Sequence, residues 1–404
     1  MRQEEQQLLS LLTAHLHPGQ ATPALSILDS CGWEAVFRLA SAHHILPMVY
    51  DAAQPYAAQI PSPLLAACRS AVLQTTISQT QKTHAFLQLY RQIRAAGLTV
   101  LVVKGLVCRS LYPNPDLRPS SDEDLYIAPD EFDRCHDLLT GMGFVAQEGD
   151  AVTTYQHMET GLHLELHTQL FPSGAYAHLN RLFDGVLAHP LTLHIQDTDI
   201  LSMPHSQHFL FLICHAFKHF LHSGFGIRQV CDILCYADAY GDAIDWTSVR
   251  QQLASIHADV FARNLMDIGC RRLGFSAAHC GWELSGSDID SDDLLADLFS
   301  AGVFGSSSAS RQHSSTITLR AFSDAADGKR AKATFLRSAF PPAAELTHRY
   351  PILKRAPVVL PLCWLHRLAV YAAQSRNSQT NSATESIKIG SQRVELLKKY
   401  GIIR

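Results

Sequence analysis

Two runs decide the fold: Thr99-Val100-Leu101-Val102-Val103-Lys104-Gly105 and, further on, Asp122-Glu123-Asp124-Leu125-Tyr126-Ile127. The first is a short β-branched and apolar run, the composition of a buried strand, ended by a Lys-Gly turn. Leu106 to Tyr112 then returns to helix before Pro113 and Pro115 stop it. The second run predicts a strand over Glu123 to Ile127. Strand period two puts Asp122 and Asp124 on one face, with Cα atoms roughly 6.5–7 Å apart. A third strand is expected over Leu162 to His167, where the leucines face one way and His163, Glu165 and His167 the other.

Working outward, Pro129 opens a helix through about Thr140, closed by Gly141 and Gly143. Leu191 to Ile195 reads as a further strand. Upstream, the leucines at 8, 9, 11 and 12 recur at helical spacing. Pro63 starts a helix that runs without Gly or Pro to Gly97. Downstream of Pro204 the period is helical again, with Asp245 an N-cap before Trp246. Two Ser/Thr-rich stretches, Ser306 to Thr318 and Gln374 to Ser386, read as loops or linkers. The pattern predicts an α+β protein, a small mixed sheet with helical regions before and after it.

Composition bounds what such a chain can do. It has 404 residues, enough for two or three domains. Only 17% are charged, and 33 basic residues against 37 acidic give a net charge of −4. That balance disfavours a protein that coats long nucleic acid. No signal peptide is visible, and Ala356 to Ala373 is too broken by Pro357, Pro361, His366 and Arg367 to span a bilayer. That apolar stripe still permits peripheral membrane contact. The ten cysteines are scattered, which suits reduced packing residues in a cytoplasmic protein.

The chemistry concentrates in the acids. Two carboxylates held side by side repel unless a cation sits between them, and magnesium suits a few carboxylates plus phosphate oxygens. If the strand of Glu165 neighbours that of Asp124, three carboxylates converge on a patch able to serve phosphoryl transfer. The Lys104-Gly105 turn opens a helix whose N–H groups could hold an anion, and Arg118 is a fixed cation able to meet phosphate. Glu123 sits between the aspartates. Either its face is exposed, or it has a cationic partner, or the site has drifted. His215, His219 and His222 share one helix face. His215, Lys218 and His219 are candidates to contact nucleotide or acceptor, whereas His222 reads as a packed imidazole. Arg228 and Asp232, four apart, read as an intrahelical ion pair.

At Val102-Val103-Lys104-Gly105, Leu111-Tyr112-Pro113, Arg118, Asp122-Glu123-Asp124-Leu125 and Glu165-Leu166-His167, the chain resembles the uncharacterised bacterial nucleotidyltransferase family of the polymerase-β superfamily. The resemblance continues through His215 to His219, Arg228, Asp232, Ile244-Asp245-Trp246, Phe340-Pro341 and Pro361 to Arg367. It implies a nucleotidyltransferase α/β core at 98–200, a helical region at 1–97 and a helical domain closing the cleft at 201–300. Residues 301–404 would be a Ser-rich linker, a C-terminal helical segment and a flexible tail. It also implies Mg²⁺, with Mn²⁺ as a substitute, held by Asp122, Asp124 and Glu165. An NTP would be the donor, with Lys104 and Gly105 beside the triphosphate and His167 nearby. The acceptor is left open as a small molecule, glycan or protein. Two competing readings remain: a D-x-D nucleotide-sugar glycosyltransferase, and a degenerate nucleotide-binding or assembly module.

Overall fold

The computed structural model describes residues 1–19, 29–149, 152–172, 176–222, 224–284, 291–302, 318, 342–346, 350–354, 356–367 and 383–403. Contacts divide the chain into two compact units, Met1–Ala216 with Ile227–Ala296, and Phe217–Gly226 with Asp297–Arg404.

The first unit opens with helices α1 (Gln3–Leu16), α2 (Ser30–Ala42), α3 (Leu46–Ala53) and α4 (Ser62–Ala95). Asp29 caps α2 by accepting the Gly32 N–H at 2.8 Å, satisfying one of the free donors of a helix start. Gly97, at φ +70°, then turns the chain after α4, a conformation glycine adopts at little cost. The second half of α4 is the buried half, through Phe86, Leu87, Leu89, Tyr90 and Ile93.

Next comes the sheet. Its strands are β1 (Val100–Val102), β2 (Glu123–Ile127), β3 (Val145–Glu148), β4 (Val152–Gln156) and β5 (His163–His167). Their order is β1-β2-β5-β4-β3, with β2 and β5 parallel and the other pairs antiparallel. Short α5 (Gly105–Arg109) follows β1, and α6 (Phe132–Gly141) follows β2. After α7 (Ala177–Asn180), β6 (Leu191–Ile195) and β7 (Thr198–Ser202) form a separate hairpin. Tyr90 ties these pieces together. Its hydroxyl donates to the Val100 carbonyl at 2.7 Å and accepts the Leu201 N–H at 2.9 Å, joining α4, β1 and β7. Burial pushes this phenol up to about 12.

The unit is completed by the start of α8 (His205–Leu221), by α9 (Ile227–Tyr240), α10 (Trp246–Ser255) and α11 (Asp259–Arg272), and by the start of α12 (Asp292–Ala301). Asp245 caps α10, accepting the Ser248 N–H at 3.0 Å, as its position before Trp246 predicts. Nearly all of α9 is buried, from Ile227 to Ala237.

The mixed sheet flanked by helices matches the α+β expectation. Three strands go beyond it: β3, β4 and β7. The mostly exposed Val-Ala-Gln-Glu run of β3 lacks an apolar alternation, so only pairing with β4 makes it a strand.

In the second unit, Arg393 of the C-terminal helix Ala383–Lys399 donates to the carbonyls of His222, at 2.6 Å, and Phe220. It also pairs with Asp297 at 3.5 Å. Leu346, Leu353 and Cys363 form a small buried cluster there. The helix begins at Ala383, inside the stretch read as the linker Gln374 to Ser386; the rest of that stretch lies outside the described residues. So do Phe340, Pro341 and, except for Thr318, the linker Ser306 to Thr318. All ten cysteines are free thiols, and all but Cys31 and Cys270 are buried. Among the described residues, no helix is long and apolar enough to cross a membrane.

His208 on α8 is fully buried, with Nδ1 3.0 Å from the Ser202 hydroxyl, which itself donates to the Val102 carbonyl at 2.7 Å. Burial takes this imidazole down to about 3. The unfolded chain therefore binds the proton more readily, and stability is lost as pH falls below the ordinary histidine range. The loss should reach about 2 kcal/mol by pH 5. Urea unfolding at pH 7 and pH 5 checks this: the difference between the two should shrink by about that amount in His208→Gln.

Candidate functional site

Strand register assembles the site. In the parallel pair, Asp124 lies opposite Glu165 and Tyr126 opposite His167. Asp124, Glu165 and His167 therefore rise from one face of adjacent strands, while Leu125, Leu164 and Leu166 fill the opposite, apolar face. On the other side of β2, β1 pairs antiparallel, and the Val103 N–H extends that ladder by donating to the Asp124 carbonyl at 3.1 Å. Lys104 thereby arrives beside the Asp124 side chain, with Nζ 2.7 Å from Oδ2.

Glu123 points the other way, into the protein, and is 4% exposed. Its Oε1 accepts from Arg109 at 2.8 Å and its Oε2 from the Leu106 N–H at 2.6 Å. Of the three readings open from sequence, the cationic partner is the one observed, and Arg109 is itself buried. Gly105 is required here. It has φ +42°, and a Cβ on it would sit 1.9 Å from Glu123 Oε2. The expectation that the N–H groups of this turn hold an external anion needs correcting at Leu106, because Glu123 already occupies that donor. The carboxylate serves the start of α5 from within the fold.

Charge dominates the exposed face. Ligand atoms of Asp124, Glu165 and His167 lie within 4.8 Å of one another, the one such group of metal-ligating side chains among the described residues. His167 Nε2 is 3.5 Å from Asp124 and 3.4 Å from Glu165. Burial alone would raise the Asp124 carboxyl, but Lys104 and His167 overcome it and hold Asp124 well below the usual carboxylate range. Reciprocally, burial would lower Lys104 and His167, and the surrounding acids raise both. Asp124 is 3% exposed, whereas the Glu165 side chain is about one-third exposed, so the patch opens to solvent on the Glu165 side.

These residues fit a divalent cation. Asp124 Oδ2 is buried and its one close cation is Lys104, 2.7 Å away, which a metal ion would replace while Oδ2 keeps a further lone pair. An acceptor with spare lone pairs beside a second carboxylate is a hard oxygen donor set of the kind Mg²⁺ and Mn²⁺ take.

The remaining candidates divide. Asp122 stands just before β2 and is half-buried, and Ser121 Oγ donates to its Oδ1 at 3.1 Å. It lies outside the three-residue group, but its charge acts on Lys104 and Arg228. His215 Nε2 lies 3.5 Å from Lys104 Nζ, which brings α8 to the acids. Lys218 and His219 follow on α8 beyond Ala216, in the second unit.

Arg118 differs most from expectation. It is buried, and its fork is spent on Asp232, with Nε–Oδ1 at 3.0 Å and Nη2–Oδ2 at 2.5 Å. The Tyr112 hydroxyl donates to the same carboxylate at 2.8 Å. Instead of meeting a ligand with that fork, Arg118 anchors the loop before β2 to α9. Arg228 feels the Asp232 charge, but its directed bond is elsewhere, from Nη1 to the Pro119 carbonyl at 2.5 Å. Both arginines hold the 115–122 loop, a role invisible in a four-residue spacing. Arg109 carries no sequence signal for a related reason: its role exists only because Glu123 is buried.

Residues 29–272 match the family described as uncharacterised nucleotidyltransferase. A solved structure, that of an antigenic nucleotidyltransferase-like protein from Paracoccidioides brasiliensis, is similar over 52% of this chain and 95% of its own, with 14% identity and a TM-score of 0.33. Among curated proteins none matches.

The buried clamp makes a prediction about stability. Glu123→Ala strips the partner from Arg109 and should cost about 3–5 kcal/mol, whereas Glu123→Leu combined with Arg109→Leu should cost far less. Urea denaturation of the single and double variants measures both. A single variant within about 1 kcal/mol of the parent would contradict the buried pair.

Proposed function

The chain belongs to the uncharacterised nucleotidyltransferase family, and from that membership we propose that it moves a nucleoside monophosphate from an NTP to an acceptor. The observation that carries the reading is Asp124 and Glu165 side by side on parallel strands, with Lys104 Nζ 2.7 Å from the same aspartate. In this reading Asp124 and Glu165 hold a divalent ion, Mg²⁺ or Mn²⁺, with Asp122 as a third carboxylate at the edge. When bound, such an ion supplies charge neutralisation at the phosphate oxygens.

The chain's own groups do the rest. Lys104 carries a positive charge that burial among acids sustains, and it meets phosphate oxygens as their negative charge shifts. His167 orients the two carboxylates it touches. Glu165, on the open side, accepts the proton of the acceptor hydroxyl. That oxygen attacks the α-phosphorus as the bond to the pyrophosphate oxygen breaks. Little covalent work falls to the protein, as is usual for phosphoryl transfer. His215, 3.5 Å from Lys104, is a proposed contact for nucleotide or acceptor.

The acceptor is a small molecule, glycan or protein, since sparse Lys and Arg suit a long polynucleotide poorly. Dependence on a free NTP pool puts the reaction in the cytoplasm. Glu123, paired with Arg109, gives no reason by itself to read the site as degenerate.

Pyrophosphate release from each of the four NTPs, with Mg²⁺ or Mn²⁺, tests the proposal. Asp124→Asn and Glu165→Gln should each lower the rate about 100-fold or more. Turnover that survives both replacements, and does not require a divalent ion, would refute it.

A further inference from the structure

The second unit carries a face that the proposed chemistry does not use. Pro357–Val359 forms a 3-10 turn that runs directly into helix over 360–367. One side of this segment packs inward: Cys363 is buried with Leu346 and Leu353, and Val359, Leu360 and Trp364 lie against that cluster. The opposite side should be polar in a helix that meets only water. It is instead Val358, Leu362 and Leu365, spaced i, i+4 and i+7, and exposed by 83%, 66% and 62%. Pro361 lies between them and is also exposed, and Ile352, 57% exposed, precedes them. Single exposed apolar residues need no explanation, but a row of large ones along one helical face does.

The charge of the same stretch indicates what the face meets. From 346 to 384 the sequence contains no Asp or Glu, yet it carries Arg349, Lys354, Arg355, Arg367 and Arg376. This occurs in a chain whose overall charge is −4. An apolar helical face in a run with cations and no acids matches an anionic bilayer surface. There, aliphatic side chains enter the headgroup boundary while Lys and Arg meet lipid phosphates. Three large aliphatic side chains on one face anchor reversibly rather than permanently.

We propose that the 357–367 face, led by Val358, Leu362 and Leu365, docks the protein on membranes rich in anionic lipid. The inference does not depend on nucleotidyl transfer and would stand if that reading failed. The test is co-sedimentation of the purified full chain with vesicles of phosphatidylcholine alone, and of phosphatidylcholine and phosphatidylglycerol in equal amounts. Binding should be at least tenfold stronger to the anionic vesicles and should weaken as salt is raised. The variant Val358→Ser, Leu362→Ser, Leu365→Ser should lose at least tenfold of that binding while keeping the parent's far-UV circular dichroism, because all three side chains lie outside the buried cluster. Absence of parent binding to anionic vesicles, equal binding to both vesicle types, or unchanged binding by the variant would each overturn the proposal. So would a parent that is dimeric without lipid alongside a monomeric triple variant, since the face would then belong to a second copy of the chain.

Discussion

One strand register underlies everything at the candidate site: Asp124 paired opposite Glu165 in a parallel ladder. Parallel pairing aligns the side chains of neighbouring strands on the same face, so the two carboxylates cannot turn away from each other without breaking the sheet. Like charges held that close are costly, and the fold meets the cost with Lys104 and His167. The result is a compact group of opposed charges, buried at Asp124 and open at Glu165. In the proposed reading, the ligand that meets this group brings both positive and negative charge, as a metal-bound triphosphate does.

The two successive acids of β2 point to opposite faces, and each takes hold of the same short segment. Asp124 meets Lys104 on the open side, while Glu123 meets Arg109 and the Leu106 N–H on the buried side. The Lys-Gly turn is therefore clamped from both sides of the strand, with Gly105 leaving just enough room for the Glu123 carboxylate. Precise placement of Lys104 follows from that clamp rather than from Lys104 itself. Arg118 and Arg228 add a second tier of support by fixing the loop that leads into β2. Positioning at this site is thus done by buried pairs that never reach the surface.

Much of this was legible beforehand, and the reasons are specific. The apolar run at Val100 and the alternation around Leu164 mark their strands without help from tertiary context. Period two alone predicts that Glu165 and His167 share a face. The neighbouring of β2 and β5 is only a condition in the sequence, because strand order depends on contacts distant along the chain. The exposed β3 carries no pattern to read, and β7 is a short strand whose partner is needed to see it. Arg118 reads as a phosphate ligand because a sequence shows that a charge exists but not whether another residue has claimed it. Asp232 lies far along the chain, and only folding brings it to Arg118. Glu123 was the most informative anomaly. Its sequence position leaves an exposed face, a cationic partner or a drifted site open, and the structure supplies the partner, Arg109.

The central claim is that the Asp124–Glu165 pair holds a divalent ion, for which Lys104 and His167 provide the balancing charge in its absence. Anomalous diffraction from crystals grown with Mn²⁺ and a non-hydrolysable NTP tests it most directly. The account predicts a manganese peak within about 2.2 Å of carboxylate oxygens of both Asp124 and Glu165, with Lys104 turned to the phosphates. Nucleotide bound elsewhere, with no metal between the two acids and Lys104 still paired to Asp124, would contradict it.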